Sequence, residues 1–438
     1  MNLTKENSQI IAHLVIALCC LPLYQFGGEV FKIFIVPYVL YLLFSMQPKF
    51  IPALLLHFMA GTTMSFVILL GCLIISIKYF KKLKFYKVRL LFLTTLIPLP
   101  FFLIVIYLKI TIYNESIVSL FHFLFMYFGL FSFFYFLLLA GKITINHLKY
   151  LFITLAISVV LSLFYSNTIR YNFYSLPIFF GLLLISLKHI KLFYKFFFGA
   201  FLLVVIIESH GMTSTLLFTS LITGLISIYY LKTKKLSLRI PFILLVLTVF
   251  VGLNAIQTYN PTAPQVMNYD VSKEKLDILD LTSIYKRSKF KLLVDRMPIW
   301  YSIYDNYVIN GDYAIPIAPK KAWVYYSTHG TESYSTIPAH NIFLELIKEY
   351  GILTGLILSI VYILMIIKSS LLLKIKGLNI YLILISSSII SCAFFGGMIG
   401  QYPLHGDFSF LFMGLAGLCY GLFFNSKSTK AYVNENTI

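Results

Sequence analysis

Long, uninterrupted apolar runs constrain this chain more than any other feature. Several of them approach or exceed the roughly 20 residues that a helix needs to cross a bilayer. Examples are Leu90–Leu108, Ile117–Ala140, Ser214–Leu231 and Ile240–Gln257. Their residues do not alternate between apolar and polar, as the strands of a membrane barrel do. Because lipid offers no hydrogen bonds to the backbone, such runs predict membrane-spanning α-helices.

The composition supports this prediction. Of the 438 residues, 59% are hydrophobic and 12% are charged, and the mean hydropathy is +0.88. Soluble domains contain about 25% charged residues. The net charge of +19 would suggest nucleic acid binding in a soluble protein. Here Lys and Arg lie mostly in short loops between apolar runs, as in the cytoplasmic loops of membrane proteins. We therefore expect membrane lipids, and no nucleic acid, as partners.

The basic loops predict the topology, because cytoplasmic loops carry an excess of Lys and Arg. The basic segments are Lys78–Arg89, Lys142–Lys149, Lys188–Lys195, Lys232–Arg239, Lys368–Lys376 and the tail with Lys427 and Lys430. The loops between them fall on the other face: Lys109–Ser116, Ser166–Tyr174, Glu208–Gly211, Thr258–Pro338 and Gly400–Gly406. This alternation predicts an all-α integral membrane protein with about 12 transmembrane helices. Residues 10–46 form either two short helices, broken near Gly27 and Gly28, or one irregular element.

The Thr258–Pro338 segment differs from the other loops because it is long, polar and mixed in charge. Long translocated segments escape the charge rule, so its lysines do not upset the topology. The chain thus divides into N-terminal transmembrane helices (1–257), a large non-cytoplasmic loop (258–338), C-terminal transmembrane helices (339–425) and a cytoplasmic tail (426–438). Three helices are expected after the large loop.

Isolated polar residues inside the apolar runs have simple interpretations. His13, His57 and His122 are expected to bond to neighbouring helices. The five cysteines all lie in apolar runs without metal-ligand spacing, so we interpret them as small apolar fillers. No metal or cofactor is expected.

The segment Pro338–Gly355 carries the most information about function. Asn341 can cap a helix start, and Ile342, Phe343 and Leu346 would then form an apolar face at the membrane surface. His340 would lie at the helix N-terminus, where free N–H groups and the helix dipole favour an anion. A histidine there can titrate near neutral pH.

Three segments resemble the O-antigen ligase and O-antigen polymerase family of bacterial envelope glycosyltransferases. The sharpest is His340-Asn-Ile-Phe-Leu-Glu345 followed by Gly351 and Gly355. The others are Arg296-Met-Pro-Ile-Trp300 and Arg170-Tyr-Asn-Phe-Tyr-Ser. One departure stands out: His210 lies where the family commonly has Arg. Either protonated His210 or Arg170 could then supply the cation expected there.

The resemblance implies a GT-C-like fold whose large loop is periplasmic, in a bacterial inner membrane. It implies metal-independent, inverting transfer of a glycan from undecaprenyl diphosphate, with a chain-length regulator as a further partner. The implied catalytic residues are His340 and Arg296, and the implied substrate-binding residues are Arg170, His210, Arg287 and Asn341. An O-antigen polymerase is the leading interpretation. A ligase that moves the glycan to lipid A core, and a flippase or transporter of the lipid-linked sugar, are the alternatives.

Overall fold

A computed structural model describes residues 5–26, 28–59, 62–83, 86–111, 117–164, 213–233, 300, 323–326, 331–334, 341–375, 378–393, 397, 404 and 406–425. Most of these residues are helical. The helices are α1 Lys5–Phe26, α2 Gly28–Phe44, α3 Ile51–Met59, α4 Thr62–Lys78, α5 Tyr86–Leu96, α6 Leu99–Thr111, α7 Ile117–Leu139, α8 Ile145–Phe164, α9 Thr213–Thr233, α10 Ile342–Tyr350, α11 Ile352–Ser369, α12 Ile380–Ser391 and α13 Gly406–Phe424. Short 3-10 turns cover Pro48–Phe50, Phe80–Lys82, Ala140–Lys142 and Ser370–Lys374.

The described helices are those of an α-helical membrane protein. Within the described ranges, four segments are long and apolar enough to cross a bilayer: Lys5–Tyr24, Tyr86–Tyr107, Phe123–Lys142 and Ile352–Lys374. The predicted count of about 12 spans extends over residues outside these ranges and stays a prediction. The same holds for the boundaries of the four predicted segments of the chain. Inside the predicted large loop, strands β1 (Trp323–Tyr326) and β2 (Thr331–Tyr334) pair antiparallel, with Trp323 opposite Tyr334.

The N-terminal region forms two helices, so the first of the two predicted alternatives for residues 10–46 is confirmed. Two histidine–tyrosine hydrogen bonds tie these helices together and to α3. His13 Nδ1 lies 2.7 Å from the Tyr38 hydroxyl, and His57 Nδ1 lies 2.7 Å from the Tyr24 hydroxyl. The expectation that these histidines bond to neighbouring helices is confirmed; the side chain of His122 lies outside the described residues.

Polar contacts place the basic segment Lys142–Lys149 beside the N-terminal helices at one end of the bundle, which we call the basic end. Lys142 Nζ donates to the Met46 carbonyl at 3.3 Å, and Lys49 Nζ donates to Gln9 Oε1 at 2.8 Å. On the same side, His147 Nε2 lies 3.3 Å from Glu6 Oε1. These contacts agree with basic loops that share one face of the membrane.

The C-terminal helices end at the basic end as well. Gly141, beside Lys142, lies next to the Asn425 side chain that follows α13. The Ser386 hydroxyl, in the middle of α12, donates to Cys419 Sγ, in the second half of α13, at 3.4 Å. The Tyr230 hydroxyl donates to the Ile375 carbonyl, which brings the end of α9 to the same region.

The centre of the core is the contact between α7 and α13, where glycines let the backbones approach closely. A Cβ at Gly417 would lie 1.9 Å from the Phe133 carbonyl oxygen, and one at Gly129 would lie 2.5 Å from the Ser409 Cβ. Small residues at helix interfaces allow this approach in membrane proteins, where van der Waals packing drives association. Around it lie buried aromatic rings, including Phe136 against Phe410 at 5.3 Å.

Candidate functional site

Of the six residues implied by the resemblance, the structure describes Asn341. His340, Arg296, Arg170, His210 and Arg287 lie outside the described residues, and their assigned roles stay predictions. The geometry of the candidate site therefore rests on α10, which Asn341 precedes, and on the helices that contact α10.

Asn341 is the N-cap of α10, as predicted. Its backbone is extended (φ −148°, ψ 122°), and its side-chain oxygen accepts hydrogen bonds from the backbone N–H groups of Phe343 and Leu344, at 3.0 and 3.2 Å. Two of the N–H groups that a helix start leaves without an intrahelical partner are thereby bonded. Asn341 is 5% exposed, so this cap lies inside the protein.

Two glycines fold α10 back along α11. Gly351 has φ 81° and ψ 166°, a conformation essentially restricted to glycine. A Cβ at Gly355 would lie 2.6 Å from both the Ile347 Cα and the Leu346 carbonyl oxygen, so α11 touches the backbone of α10. The glycine pair that the resemblance singled out thus has a structural reason.

As a result, α10 begins inside the helix bundle and runs toward the end of the bundle that lies opposite the basic end. Its last residue, Tyr350, stacks on Phe123 near the start of α7, with ring centroids 4.4 Å apart, and donates to the Phe123 carbonyl. Its second residue, Phe343, contacts Tyr362 with ring centroids 6.2 Å apart. Tyr362 lies about 15 Å along the axis of α11 from its start, at a rise of ~1.5 Å per residue.

This placement corrects one prediction. The apolar face of α10 does not lie on a surface: Ile342 and Leu346 are fully buried in the main core, and Phe343 packs against that core. The amphipathic pattern specifies one buried face but not what buries it. Because the Gly351 turn brings α10 against α11, the bundle covers that face.

A buried charge cluster lies on α10, one turn after its cap. Lys348 Nζ lies 2.8 Å from Glu345 Oε1 and 3.2 Å from Glu349 Oε1. Glu345 is 0% exposed and Lys348 is 4% exposed. Burial lowers the pKa of Lys348, but the two carboxylates outweigh burial and raise the pKa above its ordinary value. The ammonium group is therefore charged at neutral pH and holds both carboxylates.

Comparison with protein-family models, curated proteins and solved structures finds no match. Among the described residues, no group of three or more His, Cys, Asp or Glu side chains could hold a metal ion. The described part of the site consists of a buried helix N-terminus with an amide cap and, one turn later, a buried lysine between two carboxylates.

Two features of the site were not predicted from the sequence. The cluster of Glu345, Lys348 and Glu349 carried a usable signal, since the i, i+3 and i+4 spacing places the three charges side by side on a helix. Tyr362 carried none, because a single tyrosine in an apolar run does not reveal which neighbours surround it. Both features depend on how α10 folds against α11.

Replacing Asn341 tests the cap. Asn341→Ala is expected to lower the free energy of unfolding by about 1 kcal/mol, because two N–H groups at a buried helix start lose their acceptor. Asn341→Asp retains an acceptor oxygen and is expected to keep most of that stability. Hydrogen exchange of the first turn of α10, measured by mass spectrometry, gives a local readout. Equal exchange in the alanine and aspartate variants would contradict a capping role.

Proposed function

We propose that this chain is an O-antigen polymerase-type glycosyltransferase of a bacterial inner membrane. It would act on the periplasmic face and lengthen a glycan carried on undecaprenyl diphosphate. The observation that supports the proposal is the buried start of α10, capped by Asn341, which directly follows His340 in the chain. The positive end of the helix dipole there favours an anion such as a diphosphate.

The proposed reaction forms one bond and breaks one. The acceptor hydroxyl attacks the anomeric carbon of the donor sugar, and the lipid diphosphate leaves with the electron pair of the broken C–O bond. His340 accepts the proton of the hydroxyl. Arg296 and Arg170 stabilise the negative charge that grows on the diphosphate, since guanidinium groups bind phosphate oxygens in bidentate geometry. Arg287 and His210 would add weaker contacts.

Two other functions are alternatives to the polymerase. A ligase would use the same donor but transfer the glycan to lipid A core. A transporter or flippase gains some support from the buried start of α10, since broken helices within the bundle are typical of transporters. The three hypotheses differ in what accumulates when the protein is lost.

Deletion of the gene in its host separates the two enzyme hypotheses. Loss of a polymerase is expected to leave core bearing single repeat units, whereas loss of a ligase leaves long lipid-linked polymer unattached. Complementation with His340→Ala or Arg296→Ala is expected to give the deletion phenotype at a normal protein level. Wild-type polymer length in both variants would exclude the proposed residues.

A further inference from the structure

Five exposed cations lie where α4 ends and α5 begins, and we call this surface the cationic turn. Its members are Lys78, Lys81, Lys82, Lys87 and Arg89. Among the residues that the structure describes, no carboxylate forms an ion pair with any of the five. Because like charges so close together raise the positive potential of the whole surface, the cationic turn favours an anionic partner.

Hydrogen bonds of Arg89 join the two sides of the cationic turn. Its Nε donates to the Leu83 carbonyl at 2.6 Å, and its Nη2 donates to the Lys81 carbonyl at 3.1 Å. These bonds fix the first turn of α5 against the 3-10 turn Phe80–Lys82, which follows α4. A guanidinium group has five N–H donors, so Arg89 keeps donors for a further acceptor. The cations of α5 and those after α4 therefore share one surface.

The cationic turn lies at the basic end of the bundle, because α4 runs alongside α7 in the same direction. Phe66, near the start of α4, contacts Phe125, with ring centroids 6.5 Å apart. Ser76, near the end of α4, donates to the Phe131 carbonyl at 3.4 Å. The end of α7 is followed by Lys142, which lies at the basic end. The cationic turn therefore adds its charges to that end.

The surface directly beside the cationic turn is apolar and exposed. On α4, Ile74 and Ile77 are 46% and 49% exposed, and on α5, Leu90 and Leu93 are 50% and 49% exposed. These side chains lie within about 6 Å of the cations along each helix axis. Exposed apolar side chains of membrane helices face lipid tails, so cations next to them lie at the depth of the headgroups. An anion at that depth is a lipid headgroup.

Tyrosine rings support this depth. Tyr86, the first residue of α5, is exposed. The Nζ atoms of Lys78 and Lys82 lie 5.5 and 4.5 Å from the centroid of the Tyr79 ring. Tyrosine is enriched where a membrane meets water, because its ring is apolar and its hydroxyl is polar. Ammonium groups that lie over such a ring are at the level of lipid phosphates.

We infer that the cationic turn binds the headgroup of an anionic phospholipid in the leaflet at the basic end. The remaining N–H donors of Arg89 bind a phosphate oxygen, and the ammonium groups of Lys81 and Lys82 neutralise its charge. Clusters of Lys and Arg directly next to a membrane helix are typical of such binding. The inference is independent of the proposed reaction, because it involves neither α10 nor any residue that carries the chemistry.

The test titrates lipid against the whole protein, purified in detergent at low ionic strength, and counts bound lipids by native mass spectrometry. The probes are phosphatidylglycerol, phosphatidylcholine with the same acyl chains, and glycerol phosphate, which has no acyl chains. The wild type is expected to bind phosphatidylglycerol most tightly. In a triple variant with Lys81→Gln, Lys82→Gln and Lys87→Gln, the affinity for phosphatidylglycerol should fall roughly a hundredfold, at about fivefold for each lysine.

The matched control removes the same amount of charge at scattered positions. Lys149→Gln, Lys232→Gln and Lys374→Gln, combined in one variant, change exposed lysines on three other elements. This variant is expected to bind phosphatidylglycerol nearly as tightly as the wild type. An equal loss of affinity in both triple variants would overturn the inference, because net charge alone would then explain the binding.

Three further outcomes would also overturn it. The first is wild-type affinity in the variant of the cationic turn. The second is equal affinity of the wild type for phosphatidylcholine, and the third is equal affinity for glycerol phosphate, which would indicate a free anion as ligand. A measurement on the wild type alone gives a separate check. Because salt screens exposed charges, the affinity should fall when salt rises from about 0.05 M to about 0.5 M, and an unchanged affinity would contradict the inference.

Discussion

Gly417→Ala is expected to destabilise the protein, although the same change in an ordinary helix interior stabilises by about 1 kcal/mol. The reason is the backbone of α7. A Cβ at Gly417 would lie 1.9 Å from the Phe133 carbonyl oxygen, and 2.6 Å from the carbonyl carbon. Backbone atoms in a buried helix cannot turn aside as a side chain can, so α7 and α13 must move apart. Overpacking of this kind costs about 1–3 kcal/mol or more.

Gly417→Leu is expected to prevent the two helices from meeting and to abolish the folded monomer. Thermal unfolding and size-exclusion elution in detergent measure both variants. Gly141→Ala is the control, because a Cβ there would meet the Asn425 side chain at an ordinary 3.4 Å. If Gly417→Ala were as stable as the wild type, that result would contradict the close contact between the backbones of α7 and α13.

Lys348→Met is expected to cost about 3–5 kcal/mol, because it removes the ammonium group that contacts two buried carboxylates. Exposed ion pairs contribute about 0–1 kcal/mol by comparison. Lys232→Met, at an exposed lysine in the last turn of α9, is the control and is expected to change little. Chemical denaturation at pH 7 measures both variants. A cost below about 1 kcal/mol for Lys348→Met would show that the cluster contributes no more than a surface pair.

The pH dependence of this cluster has a defined sign. Because the pKa of Lys348 is higher in the folded protein than its ordinary value of 10.5, the ammonium stabilises fully below that value. The stability is lost as the pH rises above it. The difference in stability between the wild type and Lys348→Met should therefore stay constant near neutral pH and shrink only above pH 10.5.

In a triple variant with Glu345→Leu, Lys348→Met and Glu349→Gln, much of the lost stability should return, since uncharged replacements of buried ion clusters are often well tolerated.

Single helices were largely predictable from the sequence because apolarity and helix caps are local signals. The apolar run Ile117–Ala140 corresponds to α7, Ile117–Leu139, and Ser214–Leu231 lies within α9. The run Leu90–Leu108 is divided into α5 and α6 at Ile97 and Pro98, because proline interrupts helical hydrogen bonding. The run Ile240–Gln257 lies outside the described residues.

What the sequence could not supply is how the helices lie against each other. The Asn341 cap was predictable since it depends on one residue and the next turn. The buried position of that cap was not, because it depends on the Gly351 turn and on the contact between Gly355 and α10. The tight approach at Gly417 is likewise a product of tertiary packing.

The proposed function requires that this chain join glycans without a metal ion and without an ion gradient. In the test, the purified protein in detergent is incubated with an undecaprenyl-diphosphate-linked repeat unit and a metal chelator. The length of the glycan is then measured by mass spectrometry. For a polymerase we expect longer lipid-linked glycans and release of undecaprenyl diphosphate, both lost in His340→Ala. Unchanged glycan in detergent, together with movement of the lipid-linked sugar across vesicle membranes that contain the protein, would contradict it and establish a transporter.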